Sequence, residues 1–395
     1  MTIELVEKPA VPTHSISAKQ STDYQVTVIR SLTDFHPLKE EWNRFLEQAG
    51  VNNLCMTYGW LSTWLKTFPA DELLILIVKN QDGNWAGVAP FKISKGRQGL
   101  GQKLLSHLQF VGTQPNVYDW MQIAVLPTEN EVEIIKAMAT VIRNSRWDVL
   151  DLHFLPDRKQ CELLCEQLQP QQISKAIASK TEMPYLILPD SVEAYEKVRR
   201  KKTRLEVNRH CNRFAKEFGT PPVLEFQPSC EATDAILTRF VAAHVKYWSE
   251  RNQKSDFQRF PALQDFYKNM LAYSEFEAKS NEPKLVFSVL KMEEYQLSYH
   301  LGFWQQQSYL SHLTNFNQGF RGYSPGTIHM DKLVFDAIEK GGKVFEFGRG
   351  DEPYKRMWTQ DKKPLWNLRL LRTPKAKALW GMDYLLKKIL GKATE

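Results

Sequence analysis

Four residues with usable chemistry follow one another late in the chain: Asp351, Glu352, Tyr354 and Lys355, in the run GRGDEPYK. The two carboxylates are candidate bases or amine-binding groups. Tyr354 stands beside them, and Lys355 would pair with the carboxylates or meet a substrate anion. A plain turn explains Asp351 and Glu352 equally well, and a buried tyrosine with a satisfied hydroxyl explains Tyr354. His312 lies in Tyr309–Phe316, whose alternation reads as a strand. Imidazole changes charge near neutral pH and so suits a base, although a packed strand histidine is the commoner case.

Between those two places sits Arg321-Gly322-Tyr323-Ser324-Pro325-Gly326. Ser324 fits an N-cap and Pro325 the first helical position, below a loop over 317–323 that holds Gly319 and Gly322. A helix start aims free N–H groups and a positive dipole end at one point, which suits a phosphate or pyrophosphate, and Arg321 adds a charge. An ordinary crossover loop is the equal alternative. Upstream, His244, Trp248 and Arg251 cluster at the end of a helix.

Charge has a location. The whole chain carries +7, while residues 197–216 hold nine Lys or Arg against Glu206 alone. Val207, Cys211, Phe214 and Phe218 give this stretch one apolar face, so a single long helix over 197–218 is expected, stopped by Gly219. A solvated face is half of the reading. The other half is phosphate binding, with Arg200 and Arg204 as substrate contacts and a CoA phosphate, a nucleotide-linked sugar, an anionic lipid or RNA as the anion. Aromatic residues that would stack on bases are missing from it, which weighs against RNA.

These residues need elements to hold them. The stretch 309–358 reads as strand, glycine-bearing loop, helix, strand and charged turn, with Met330, Leu333, Val334, Ala337 and Ile338 as the helical stripe. Before it come helices near 232–248 and 262–273 and a hairpin over 284–304. The first part of the chain has the same order: a strand at 24–30, helices at 37–48 and 58–68, and a hairpin turning at Asp82-Gly83. Strands at 104–111, 121–125 and 149–154 follow, with a helix at 129–143. Two lobes are therefore expected, 24–156 and 192–372. A connector over 157–191, a tail over 1–23 and a basic amphipathic helix over 373–395 complete the chain.

The length of 395 residues suits two domains, and the composition is that of a soluble globular protein. Five scattered cysteines give neither a disulfide framework nor a metal spacing, so no metal is expected. No signal peptide or spanning segment is read, which makes the cytoplasm the expected address. The C-terminal helix either docks on its own domain or lies on an anionic membrane surface. No Ser-His-Asp order or nucleophile elbow appears.

The order strand, loop, helix, strand resembles the acyl-CoA-binding core of the GNAT N-acyltransferase superfamily, whose pyrophosphate loop reads Arg/Gln-x-x-Gly-x-Gly/Ala. Arg321 and Gly326 match it, and Ser324 stands where that family usually has glycine. GYSPG, the following helix and FEFGRGDEPYKRMW resemble the two-lobed CelD-like acetyltransferases of cellulose biosynthesis, which are similar in architecture to the FemABX aminoacyl transferases. The likeness is strong over 183–371 and looser over 24–156. It implies an α/β (α+β) fold of tandem GNAT-like lobes, each a mixed, mostly antiparallel sheet flanked by helices. The first lobe is then the degenerate one, helping to shape the acceptor cleft. It also implies acetyl-CoA as co-substrate, a small-molecule or glycan amine or hydroxyl as acceptor with His244, Trp248 and Arg251 near it, a role in envelope polysaccharide metabolism, and Tyr354 as the acid for the thiolate. Transfer from aminoacyl-tRNA and a non-catalytic scaffold are the alternatives.

Overall fold

The computed structural model describes residues 23–68, 70–96, 102–113, 117, 119–172, 176–227, 230–276 and 282–389. The tail expected over 1–23 falls, but for its last residue, outside them.

The first lobe opens with strand β1 (Gln25–Ile29) and helices α1 (Leu32–Phe35), α2 (Lys39–Gln48) and α3 (Tyr58–Thr67). Strands β2 (Glu72–Lys79), β3 (Trp85–Lys95), β4 (Ser106–Phe110) and β5 (Ala124–Val125) follow, then helix α4 (Glu131–Asn144) and strand β6 (Val149–Leu155). β2 is buried from Leu73 to Val78, on both faces, which is what its unbroken apolar run requires. The hairpin into β3 turns at Gly83, at φ 80°, where a residue without a Cβ is at ease. α4 starts at Asn130, whose side chain accepts from the amides of Val132 and Glu133, and it buries Ile134, Ile135, Met138 and Ile142 against the sheet.

Helix α5 (Arg158–Leu168) and strand β7 (Ile177–Ile187) lie between the lobes. The second lobe adds α6 (Val192–Val198), α7 (Lys201–Phe218), β8 (Val223–Phe226), α8 (Cys230–Ser249), α9 (Asp256–Arg259) and α10 (Leu263–Phe276). After these come β9 (Lys284–Met292), β10 (Tyr295–Gln305), β11 (Ser308–Phe316), α11 (Pro325–Glu339), β12 (Val344–Glu346), β13 (Lys362–Leu371) and α12 (Pro374–Ile389). The fold is mixed α/β, two GNAT-like lobes in tandem. Each lobe has an antiparallel three-strand meander, a crossover containing a helix, and a parallel return: β4 with β6 and β11 with β12.

Two expectations change. The strand in the connector is no tether: it extends back to Ile177 and sits mid-sheet, in the order β6-β13-β7-β12. Beside it β13 pairs with β6 of the first lobe on one side and β7 on the other, so the sheet runs unbroken through both lobes. The long basic helix is two helices. Arg199 and Arg200 adopt extended ψ values of 133° and 124°, which ends α6 and carries the Arg199 guanidinium inward to Glu196 and Asp331.

The lobes share one apolar core. Trp60 and Phe266 meet edge to face at 5.8 Å. α3 crosses α10 at Gly59, where an added Cβ would lie 2.2 Å from the ring of Tyr273. Glu282 then accepts from Tyr273 at 2.9 Å and from Asn43 at 2.5 Å, tying the two halves at the same crossing. α12 docks by its start: Ala376 is buried with Leu105 and Val149, and Arg369 lies over Trp380, while Met382 and Leu385 stay exposed. Among the described residues no helix is long and apolar enough to cross a membrane.

Candidate active site

β11 and β12 pair for only three residues each, Ser308–Leu310 with Val344–Glu346. Beyond that they part. β11 continues to Phe316, held on its other side by β10, whereas the chain after β12 turns toward β7, with the amides of Phe347 and Gly350 donating to the carbonyls of Pro184 and Glu182. The divergence opens a cleft of about 380 Å³. Its walls are Ser311–Thr314, Phe347–Arg349, Glu352, Tyr354 and Lys355, with α8, α9 and α10 over one side and Val117 and Asp119 reaching in from the first lobe.

His312 is placed there by a bulge. Leu301 pairs with Leu313 and Gly302 with Ser311, so His312 is the extra residue on β11, and its ring is re-aimed out of the alternation. Asp119 Oδ2 lies 3.1 Å from Nδ1, and the Tyr267 hydroxyl lies 2.9 Å from Nε2. Asp119 uses its other oxygen to accept from the Arg349 amide at 3.0 Å. Burial alone would push the Asp119 carboxyl up. The hydrogen bond and charge of His312, and then the Arg349 charge, outweigh it and hold the group below the ordinary carboxylate range. An ionised Asp119 fixes the proton on Nδ1, which leaves Nε2 as an acceptor for Tyr267. Burial first, and then the Asp119 charge, raise the Tyr267 phenol well above its ordinary value, so it rests protonated.

The turn that supplies the Arg349 amide is built for this contact. Gly348 has φ 70°, and a Cβ there would stand 3.1 Å from Asp119 Oδ1 and from the Ser311 carbonyl. Lys355, 3% exposed, donates to the carbonyls of Gly348, Arg349 and Gly350 at 3.1, 2.7 and 3.3 Å and pairs with Glu352 at 2.8 Å. With its donors so engaged, Lys355 holds the turn, and of its two expected roles the pairing with a neighbouring carboxylate is the one seen. Asp351 is engaged by two cations. Arg356 binds it in fork geometry at 3.1 and 2.6 Å and Lys362 approaches to 3.0 Å, which depresses its carboxyl to about 2. Glu352 lines the cleft. Tyr354, 45% exposed at the lip, is raised by desolvation and by the charges of Glu352 and Asp119, so it keeps its proton.

Other expected residues scatter. His244 and Trp248 line the cleft, Trp248 Nε1 donating to His244 Nε2 at 3.2 Å. Desolvation keeps His244 below its ordinary value, with Asp256 pulling weakly the other way. Arg251 turns back instead, its guanidinium stacked 3.6 Å over Tyr247. Arg200 donates to the Arg356 carbonyl and Arg204 is exposed, and neither lines the cleft.

Arg321, Gly322 and Tyr323 belong to a 3-10 turn over Gln318–Tyr323, capped by Asn317, rather than an open loop. Ser324 does stand at the N-cap position of α11, but in left-handed geometry (φ 50°) with its side chain making no cap bond. Pro325 is buried behind it, and an added Cβ on Gly326 would reach Phe316 at 3.8 Å, ordinary contact. Tyr323 packs on Phe214 with Arg213 over its face, while Arg321 and Gly322 stay exposed.

Asp119 and Tyr267 escaped the sequence reading. Asp119 lies in an irregular segment 193 residues from its partner, and Tyr267 reads as part of a helical apolar face. The only sequence signal for either was a polar atom on a residue otherwise explained.

Residues 201–356 match a family profile described as an acetyltransferase (GNAT) domain. Among solved structures, FemX aligns over 87% of this chain and 98% of its own, at 11% identity and TM-score 0.55. L-PGS from Bacillus licheniformis aligns over 90% and 97%, at 12% identity and TM-score 0.50. A conserved protein of unknown function from Bacteroides thetaiotaomicron aligns over 88% and 100%, at 10% identity and TM-score 0.52. No curated protein sequence matches. At these identities the likeness carries the fold.

Proposed function

We propose that the chain transfers an acyl group, acetyl in the simplest case, from an acyl-CoA thioester to an amine acceptor bound beneath α8 and α10. One observation supports this above the others. The side of β11 that faces β12 loses its strand partner after Leu310, while β12 turns away. An extended ligand carrying amide groups can pair with that strand as an added strand would. A pantetheine arm has that chemistry, and it would bring a thioester beside His312.

The proton path follows from the contacts. As the amine attacks the thioester carbonyl, its proton passes to the Tyr267 oxygen while the Tyr267 hydroxyl proton passes to His312 Nε2. Asp119 stabilises the resulting imidazolium, and the C–S bond breaks with the thiolate taking a proton from Tyr354. His244 and Trp248 sit where the acceptor would enter. The start of α11, with Arg321, would hold the diphosphate. A glycan amine in envelope polysaccharide metabolism remains the acceptor class of this proposal.

The test is thiol release from acetyl-CoA with a panel of amino sugars and amines, run with wild type and His312→Ala. Acceptor-dependent release that the variant loses supports the reading. Transfer from charged tRNA with no turnover of thioesters would overturn the donor assignment.

A further inference from the structure

The basic run of the sequence has a defined outer face. α7 buries Thr203, Val207, His210 and Phe214. On the opposite side Lys201, Leu205, Arg209, Asn212 and Lys216 follow one another at helical spacing, all exposed, flanked by Lys202 and Arg204. Leu205 is 56% exposed in the middle of that cationic face, and Val198, at the end of α6, is 73% exposed.

Three of the nine cations serve the fold itself. Arg199 pairs with Glu196 and Asp331, Arg200 donates to the Arg356 carbonyl, and Arg213 donates to the Gly322 carbonyl at 2.9 Å. Lys197, Lys201, Lys202, Arg204, Arg209 and Lys216 form no ion pair among the described residues. Five of these like charges lie along the outer side of α7, with Lys197 near the end of α6, and they repel one another unless an anionic surface meets them.

We infer that this face of α6 and α7 docks on an anionic lipid surface. Aliphatic side chains standing among long cationic ones suit a headgroup layer: Leu205 and Val198 enter the apolar boundary while the Lys and Arg stems lie along it with their charges at the phosphates. RNA would take the same charges but needs stacking surfaces, and the aromatic residues of α7 point elsewhere, Phe214 being buried and Phe218 packed on Phe320 and Tyr323. The docking face is separate from the cleft, so this inference stands or falls independently of the transfer reaction.

Co-sedimentation of the full chain with vesicles tests it. Wild type should pellet with phosphatidylcholine vesicles containing about one third phosphatidylserine at about 0.15 M salt, and stay in solution with phosphatidylcholine alone. Each cation near such a surface contributes a factor of about five in partition, so Lys201→Gln with Arg209→Gln should weaken it about 25-fold. Leu205→Ser should cost about tenfold. All three positions are exposed, and unchanged melting curves would confirm intact folding. Equal binding to neutral vesicles, no binding to anionic ones, or unaltered binding by the double variant would overturn it.

Discussion

Replacing Asp119 by Asn probes the Asp119–His312–Tyr267 chain with little change of shape. Asn keeps an oxygen for the Arg349 amide, now held at 3.0 Å. It turns an NH2 toward His312 Nδ1, which must then accept, and the ring proton moves to Nε2. Nε2 can no longer receive a proton from Tyr267. The charge is lost as well. The pair is 3.1 Å apart with side chains 10% and 7% exposed, so the imidazolium loses about 5 kcal/mol at an effective dielectric of about 20. That is nearly four decades in rate, at the upper end of what general base catalysis supplies, about 10²–10⁴-fold. We expect kcat for thioester turnover to fall about 10³-fold or more, with KM for the thioester within about threefold of wild type. Steady-state thiol release at saturating acceptor measures both. A variant that keeps more than about a third of wild-type kcat would refute the chain as the proton path.

Further outcomes follow from the same geometry. Gly348→Ala places a Cβ 3.1 Å from Asp119 Oδ1 at a positive φ, so it should displace that carboxylate and lower kcat about 100-fold while the protein still folds, as thermal melts alongside kinetics would show. Lys355→Met strips the carbonyls of Gly348, Arg349 and Gly350 of their donor, and should cost about 1–3 kcal/mol in denaturant-measured stability. Because the folded Asp119 carboxyl is depressed, the stability it contributes is fully present above its ordinary value of 3.8 and is lost as pH falls through the folded value, so the gap in melting temperature between wild type and Asp119→Asn should close in that acid range. Burial pushes Cys161 to about 12 and Cys165 to about 11, and Cys55 still higher, so peptide mapping after iodoacetamide at about pH 8 should find all three unmodified in the folded protein.

Local signals in the sequence carried far. The Asp82-Gly83 hairpin, the strand around His312, the Pro325 helix start and the twice-repeated element order all follow from periodicity and turn chemistry, and all are present. What periodicity does not encode is contact across the chain. Whether Lys355 pairs with the carboxylates beside it or meets a substrate anion is ambiguous in the sequence until its ammonium is found under three carbonyls and against Glu352. Arg199 looked like one more cation of a long helix, yet its desolvated pairing with Asp331 turns the backbone and ends α6. β13 follows β12 in sequence, yet its hydrogen bonds run to β6 of the first lobe and to β7. His312 was visible as a candidate; the bulge that presents it, and the Asp119 that orients it, depend on registers no single segment contains.

Hydrogen exchange of the backbone amides with and without acetyl-CoA tests the donor groove most directly. A donor lying between the parted strands predicts slowed exchange in Ser311–Phe316 and in Phe347–Gly350, with the amides at the start of α11 slowed alongside them. Unchanged exchange in both strand ends at saturating acetyl-CoA would contradict it.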